Sequence, residues 1–180
     1  MREAASVAAW CDRRPLLCDT PGVSTLHPAV APLSFLLGSW KGTGRGTYPT
    51  IDDFAYREWV TFRHTGKPFL VYEQRTADLT SGAPMHAETG YLRAVGAGRV
   101  ELVLAQPSGI TEVHEGTVEG QRVRLATTEV GVAPTAKRVD ALERDLSVDG
   151  DVLRYEVRMA AMGLPMTHHL AAELHREAEG

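Results

Sequence analysis

Apolar and polar residues alternate along most of the chain, most clearly near its C-terminal end. The odd-numbered positions of residues 153–161 are apolar, whereas Arg154, Glu156 and Arg158 stand between them. Residues 99–106 alternate in the same way, with valine or leucine at positions 100, 102 and 104. Because successive side chains of a strand point to opposite faces, a period of two predicts half-buried antiparallel strands.

Turn signals divide the chain beyond residue 37 into ten segments of this kind. The predicted strands are Gly38–Tyr48, Phe54–His64, Phe69–Asp78, His86–Val95, Arg99–Gln106, Gly109–Val118, Gln121–Val130, Thr135–Val148, Asp151–Gly163 and Met166–Arg176. Asp149-Gly150 is a strong signal for a two-residue hairpin, since both central positions need positive φ. The sequence predicts an all-β fold: an antiparallel up-and-down β-barrel of about ten strands, of the lipocalin or fatty-acid-binding-protein type. Closing the sheet into a barrel would pair its first and last strands and leave no exposed strand edge.

The part of the chain before the strands divides into an extension and a short helical turn. Residues 1–27 are punctuated by proline and glycine and keep no apolar period, so we expect an N-terminal extension that is partly disordered. Residues 27–37 predict a short helical turn leading into the barrel, with Pro32 near its beginning. The predicted barrel domain spans residues 28–178.

Composition places the chain among ordinary globular proteins. Its 180 residues suffice for one domain with a sizeable core, and 43% of them are apolar and 23% charged. A net charge of −4 and a pI near 6.0 argue against a nucleic-acid partner, which needs a clustered basic surface. The sequence lacks the run of about 18 apolar residues that predicts a membrane helix. The first apolar stretch is too short for a secretory signal, so we expect a cytoplasmic protein.

The first predicted strand carries alternate glycines around one tryptophan. Gly38, Trp40, Gly42 and Gly44 share one face of this strand. Glycine in a strand permits sharp curvature or the close approach of another group. Two interpretations follow: a barrel-closing strand with the tryptophan as an end plug, or a face cleared for a flat ligand. The series lacks the strand–turn–helix setting of a dinucleotide fingerprint and the lysine of a phosphate loop.

Further short motifs follow this glycine series in order along the chain. They are Tyr48-Pro49-Thr50, Gly66-Lys67-Pro68, Pro84-Met85-His86-x-Glu88-x-Gly90-Tyr91-Leu92-Arg93, Ser108-Gly109-Ile110-Thr111-Glu112, Ala133-Pro134-Thr135-Ala136-Lys137 and His169-Leu170. Together with Gly-x-Trp-x-Gly-x-Gly, the series resembles the nitrobindin family of haem-binding β-barrels. A single Gly-x-Trp is weak evidence, since lipocalin-like barrels share it. The ordered series is specific, and it spans roughly residues 30–177.

The resemblance implies one non-covalent haem b per chain. The histidine of the terminal His-Leu pair is the iron ligand in this family, which makes His169 the expected metal-binding and catalytic residue. Thr50 is expected to lie against the haem and Lys137 to pair with a propionate. Neutral imidazole suits haem iron when its second nitrogen finds an acceptor. Cys11 and Cys18 form no Cys-x-x-Cys-His motif, so thioether attachment is not expected.

Alternation alone does not select the same histidine. It groups His168 with Leu170, Ala172 and Leu174 on the more apolar face of the last predicted strand, and turns His169 to the other face. Two arrangements would still bring His169 to the ligand: a wide cavity mouth that accepts it on this mixed face beside solvent, or a β-bulge that shifts the register. His169 is therefore the predicted ligand, with His168 as the alternative.

The resemblance also implies a reaction, the isomerisation of peroxynitrite to nitrate at ferric haem, together with nitric oxide binding. His86 and His114 fall within predicted strands and are expected to be structural or exposed, so no distal acid–base histidine is expected and isomerisation is favoured over peroxidase chemistry. Two alternatives remain open: a non-catalytic carrier of a fatty acid or another small apolar ligand, and a nitric oxide sensor or transporter. The expected partner is a small-molecule oxidant, and an exposed barrel face could support a homodimer.

Overall fold

The computed structural model describes residues 25–178. A 3-10 helix at Pro28–Leu36 precedes ten strands. The strands are β1 (Gly38–Tyr48), β2 (Ile51–His64), β3 (Phe69–Asp78), β4 (Pro84–Gly96), β5 (Arg99–Gln106), β6 (Ile110–Glu119), β7 (Arg122–Val132), β8 (Val139–Asp149), β9 (Val152–Ala161) and β10 (Thr167–Arg176). Most of the predicted extension, including both cysteines, lies outside the described residues.

The ten strands form one closed barrel. Each strand pairs antiparallel with its neighbours along the chain, and β1 pairs with β10 to complete the ring. In that closing pair Trp40 lies opposite Arg176 and Gly46 opposite Leu170. The closed antiparallel barrel confirms the fold predicted from the alternation, and the helical turn before β1 is present as a 3-10 helix.

Strand boundaries differ from the prediction mainly at β8. The sequence predicted this strand from Thr135, whereas it begins at Val139. The backbone N–H of Ala136 donates to the carbonyl oxygen of Ala133 at 2.9 Å, which closes a turn just before the strand. Lys137 therefore lies in the loop between β7 and β8.

Alternation predicts burial correctly in β5 and β9. Val100, Leu102 and Leu104 of β5 are buried, as are Leu153 and Val157 of β9. The three charged residues between the apolar positions of β9 are exposed. Burying one such side chain stabilises the fold by about 1.5–3 kcal/mol, so the inward faces of these strands supply much of the core.

The 3-10 helix plugs one end of the barrel, which we call the closed end. Val30, Leu33 and Leu36 of the helix are fully buried against the core. The indole N–H of Trp40 donates to the carbonyl oxygen of Leu36 at 2.8 Å, so the tryptophan ties the helix to β1. None of the helical structure within residues 25–178 is long and apolar enough to cross a membrane.

Arg176, near the end of β10, connects the 3-10 helix and Trp40 to the last strand. Its guanidinium lies over the ring of Trp40, 4.0 Å from the ring centre. It also donates to the carbonyl oxygen of Phe35 at 3.0 Å and to that of Leu37. These carbonyls belong to the last turn of the helix, so one side chain satisfies acceptors that the helix leaves free.

The glycine series of β1 makes room for other parts of the protein. A Cβ at Gly42 would overlap the backbone of β10 at Leu174, and a Cβ at Gly44 would overlap the ring and hydroxyl of Tyr56. A Cβ at Gly46 would overlap the ring of Phe54. The space is thus filled by the chain itself. Of the two interpretations of this motif, the structure supports a barrel-closing strand and not a face cleared for a flat ligand.

Candidate functional site

The end of the barrel opposite the 3-10 helix holds a cavity of about 630 Å³. Ligand sites for small molecules commonly measure roughly 300–1,000 Å³. Every second loop of the barrel, starting with the β1–β2 turn, meets at this end because consecutive strands alternate in direction. We call the space the mouth cavity. Its lining includes Ile51, Met85, Lys137, Leu142, Met159 and His169.

His169 and Leu170 both line the mouth cavity, although they are consecutive residues of β10. In a regular strand they would face opposite sides. The pairing with β9 passes from His168 opposite Arg158 directly to Leu170 opposite Val157, so His169 is the extra residue of a β-bulge. The bulge turns His169 toward the cavity and leaves His168 exposed.

A backbone hydrogen bond fixes the tautomer of His169. Its Nδ1 lies 3.1 Å from the carbonyl oxygen of Thr47 on β1. Since a carbonyl only accepts, Nδ1 carries the proton and donates it, which leaves the lone pair of Nε2 free. Burial lowers the pKa of His169 below its usual value, so the ring is neutral at pH 7. A neutral, oriented imidazole with a free Nε2 is suited to bind a metal.

Tyr48 and Phe54 hold the His169 ring from the sides. The ring of Tyr48 meets it edge-on, with centres 5.4 Å apart, and Phe54 does the same at 6.5 Å. The Tyr48 hydroxyl accepts from the backbone N–H of Ala161 at 2.9 Å and donates to the carbonyl oxygen of the same residue at 3.2 Å. Tyr48 is thus anchored on β9 and orients the histidine of β10.

The other two residues expected at the haem lie in different positions. Lys137 is exposed and lines the mouth cavity from the β7–β8 loop. Thr50 is exposed in the turn between β1 and β2 and is not part of the cavity lining, although the next residue, Ile51, is. The structure therefore brings Lys137 and His169 to one cavity and places Thr50 beside it.

His86 also lines the mouth cavity, although its place within a predicted strand had indicated a structural or exposed histidine. Its Nε2 lies 3.4 Å from Oε1 of Glu88. Its position in the sequence could have indicated this placement. His86 lies near the start of β4, and β4 and β10 start at the same end of the barrel. His114, by contrast, is fully buried, in keeping with the structural role predicted for it.

A layer of buried polar side chains lies beneath the mouth cavity. Arg144 of β8 donates to the two oxygens of Glu88 at 2.8 and 2.9 Å, and to Glu112 at 2.9 Å. Tyr72 donates to Glu88 at 3.0 Å, and the amide of Gln74 donates to Glu58 at 3.0 Å. We call this group the polar layer. It consists of Glu58, Tyr72, Gln74, Glu88, Glu112, His114, Arg144 and Tyr155.

Arg144 keeps two carboxylates of the polar layer ionised. Burial, the largest single effect, would raise the pKa of Glu88 and Glu112, but attraction to the guanidinium together with hydrogen bonds outweighs it and lowers both pKa values. The hydrogen bonds come from Arg144 and His86 to Glu88, and from His114 to Glu112. Burial likewise lowers the pKa of His114, whose Nε2 donates to Glu112 at 2.7 Å as a neutral ring. Glu88, Glu112 and Arg144 together therefore carry one excess negative charge, to which Glu58 adds another when it is ionised.

Glu58 differs from the other two glutamates. Burial raises its pKa to about 7, because its nearest partners are the neutral groups of Gln74 and Tyr155 rather than Arg144. It lines a second, much smaller space of about 50 Å³ on the closed-end side of the polar layer. We call this space the inner chamber. The rest of its wall is largely apolar and includes Leu36, Val60, Phe62, Leu102, Leu125 and Leu153.

The polar layer is visible in the sequence as charged residues at inward-facing strand positions. Glu58, Glu112 and Arg144 each occupy a position in phase with the buried apolar residues of their own strand. Charged residues at inward positions are rare unless they are paired. Such breaks on three strands would have predicted a buried ionic cluster, although not which strands meet in it.

Comparison with known proteins supports a family assignment. Residues 29–176 match the family described as "THAP4-like, heme-binding beta-barrel domain". The chain belongs to this family, and the assignment confirms the nitrobindin resemblance read from the motifs.

Several bacterial relatives carry one name. The chain is 53% identical over 157 residues to "Peroxynitrite isomerase 2" of Mycobacterium marinum. This match covers 85% of the present chain and 98% of the relative. The chain is 51% identical over 156 residues to "Peroxynitrite isomerase" of Nocardia farcinica, spanning 84% of this chain and 93% of that protein. The crystal structure of Rv2717c from M. tuberculosis superposes with a TM-score of 0.81 at 52% identity, covering 86% of this chain and all of that one.

Proposed function

We propose that this chain binds one ferric haem b non-covalently in the mouth cavity and isomerises peroxynitrite to nitrate. The family is named for haem binding and matches nearly the whole barrel. Relatives more than half identical to this chain are named peroxynitrite isomerases, and the matches cover almost their full length. The observation that carries the proposal is the β-bulge that turns His169 into the cavity with its Nε2 free.

The residues of the mouth cavity fit a haem. His169 offers a neutral imidazole whose other nitrogen is held by the Thr47 carbonyl, as iron-ligating histidines require. Apolar side chains such as Leu142 and Met159 line the cavity and suit a flat macrocycle. Lys137 at the rim would offer a positive charge to a propionate.

When bound, the haem supplies an iron centre that takes up and rearranges a small oxidant. The chain's own contribution is orientation and shielding. Thr47 and Tyr48 hold the His169 ring, and the cavity wall limits the access of water. His86 and Lys137 add polar groups at the edge of this space, where a small anion would enter.

The alternatives differ in what the cavity would hold. A fatty acid would place its carboxylate against a free cation at the floor of the mouth cavity, but Arg144 there is already bonded to Glu88 and Glu112. This favours a haem, whose propionates would lie at the rim beside Lys137, over a fatty acid. Nitric oxide binding is compatible with the same haem site and remains a prediction, as do the homodimer and the cytoplasmic location.

Stopped-flow mixing with peroxynitrite tests the proposed reaction. The haem-loaded protein should accelerate peroxynitrite decay in proportion to its concentration and give nitrate as the product. Haem-free protein and the haem-loaded protein after heat unfolding are the controls. Decay at the rate of free ferric haem, or products rich in nitrite, would contradict an isomerase.

A further inference from the structure

A line of three hydrogen-bonded side chains connects the mouth cavity to the inner chamber. Tyr56 lines the mouth cavity, and its hydroxyl lies 2.9 Å from the hydroxyl of Tyr155. Tyr155 in turn donates to Oε2 of Glu58 at 2.8 Å. Glu58 lines the inner chamber. Every link is short enough to pass a proton along the line.

The line is held in place by its neighbours. The amide of Gln74 donates to Oε1 of Glu58 at 3.0 Å, which leaves Oε2 for Tyr155. Gly44 on β1 gives the Tyr56 hydroxyl its space, since a Cβ there would overlap it. Tyr56 and Glu58 are each 1% exposed, and Tyr155 between them is partly buried, so the two ends of the line are shielded from bulk water.

The charges around Glu58 suit a group that gains and loses a proton. The titratable groups that face it are Tyr56 on its own strand, Tyr72 on β3, Glu88 on β4, Arg144 on β8 and Tyr155 on β9. Burial, with a smaller contribution from the charge of Glu88, raises the pKa of Glu58 to about 7 against the lowering effects of Gln74, Tyr155 and Arg144. Burial also raises the pKa of Tyr56 and Tyr155, which therefore stay as neutral hydroxyls that pass protons without ionising.

We propose that Glu58 exchanges protons with the ligand of the mouth cavity through the hydroxyls of Tyr155 and Tyr56. This inference rests on the proposed function. Peroxynitrous acid is a weak acid and nitric acid a strong one, so isomerisation of the protonated substrate releases nitrate and one proton. That proton passes to the oxygen of Tyr56, the proton of Tyr56 to Tyr155, and the proton of Tyr155 to the Glu58 carboxylate. No electrons are transferred, and the reverse path returns the proton to solvent at the mouth.

Two substitutions interrupt the line at different points. Tyr155→Phe removes the central hydroxyl and keeps the ring, and Glu58→Gln removes the terminal acceptor. Tyr72→Phe is the matched control, because it removes another buried hydroxyl of the polar layer, one that is bonded to Glu88 instead. Haem stoichiometry and circular dichroism of each variant establish that the barrel is intact.

Peroxynitrite turnover tests one consequence of this proton relay, the line formed by Tyr56, Tyr155 and Glu58. At saturating peroxynitrite, the ratio of kcat between wild type and Tyr155→Phe should be at least about tenfold near pH 7, where protonated substrate and ionised Glu58 coexist, and should approach one at pH 5, where Glu58 is protonated. The same pH dependence is expected for Glu58→Gln. A ratio that is constant with pH in both variants would overturn the relay, whereas a wild type without turnover would overturn the proposed function alone.

A pH jump with infrared detection tests the relay without any turnover. The protonated carboxyl band of Glu58 in the haem-loaded protein is identified by its absence from Glu58→Gln. After a jump from pH 8 to pH 6, this band should appear at least about tenfold more slowly in Tyr155→Phe than in wild type, and Tyr72→Phe should follow wild type. Appearance at the wild-type rate in Tyr155→Phe would overturn the proposal.

Discussion

The two halves of the barrel interior are built on different principles. The closed end is filled by the 3-10 helix, Trp40 and leucines such as Leu33 and Leu153, and its few polar bonds tie the helix to Trp40 and Arg176. The mouth half holds an open cavity above a layer of buried carboxylates, tyrosines and Arg144. One half is a packed hydrophobic core and the other is a polar site inside the same sheet.

The difference separates what holds the barrel together from what the barrel offers a ligand. At the closed end, the burial of apolar side chains stabilises the fold, and this stabilisation does not depend on how the buried groups are oriented. Charges in the mouth half cost desolvation energy that only correct pairing offsets, so that half is stable only while its hydrogen bonds are complete. Substitutions in the two halves should therefore differ in their effects on stability and on the site.

The largest effect is expected from Arg144→Met in the polar layer. Removing the guanidinium leaves Glu88 and Glu112 buried without a counter-charge, which should destabilise the protein by about 3–5 kcal/mol. Urea unfolding at pH 7 with matched haem loading measures the loss. Arg122→Met, which removes the exposed pair with Asp145, is the control and should cost far less. Equal losses in the two variants would show that the layer is not a coupled ionic cluster.

A cavity at the closed end should lower stability without changing the site. Leu153 is fully buried, and Leu153→Ala should cost about 3 kcal/mol through lost burial and the void left behind. The Soret position and the ferric haem affinity should remain those of wild type. Val103→Ala, at a position on the outer face that is 37% exposed, is the control for the stability measurement. A Soret shift in Leu153→Ala would mean that the two halves are coupled.

Glu58→Gln should change stability in a pH-dependent way. The folded protein raises the pKa of Glu58 from 4.5 to about 7, so wild type loses stability as the pH rises through this window. The glutamine variant escapes that loss and should be more stable than wild type by about 2–3 kcal/mol at pH 8, with little difference at pH 4.5. Glu73→Gln, at an exposed carboxylate, should track wild type throughout. A difference for Glu58→Gln that does not grow with pH contradicts the account.

The smallest of these effects is expected from Tyr48→Phe. Losing the hydroxyl leaves the backbone N–H of Ala161 without its partner and should cost about 1–2 kcal/mol. The His169 ring loses its anchored neighbour, so ferric haem affinity should fall by about tenfold. Tyr91→Phe removes an exposed hydroxyl and provides the comparison in the same titration. Unchanged haem affinity in Tyr48→Phe would remove Tyr48 from the site.

The sequence predicted the fold because the barrel repeats one local rule. Alternation and turn residues act within a few positions of each other, so ten strands and most of their bounds were accessible. The β8 start was not, because the turn at Ala133–Ala136 depends on a hydrogen bond that no strand pattern encodes.

The site was harder to predict because it depends on contacts between strands. Simple alternation indicated His168, and only the register of β10 against β9 shows the bulge that turns His169 inward. His86 and the polar layer come from several strands that are distant in sequence. Their convergence follows from barrel closure and not from any one segment.

Titration with ferric haem tests the central claim most directly. Wild type should show a saturable one-to-one Soret shift, and His168→Ala should bind haem with the same spectrum, since that side chain lies outside the cavity. His169→Ala should lose tight binding and the histidine-ligated spectrum. An unchanged spectrum in His169→Ala, or its loss in His168→Ala, would contradict the assignment of the iron ligand.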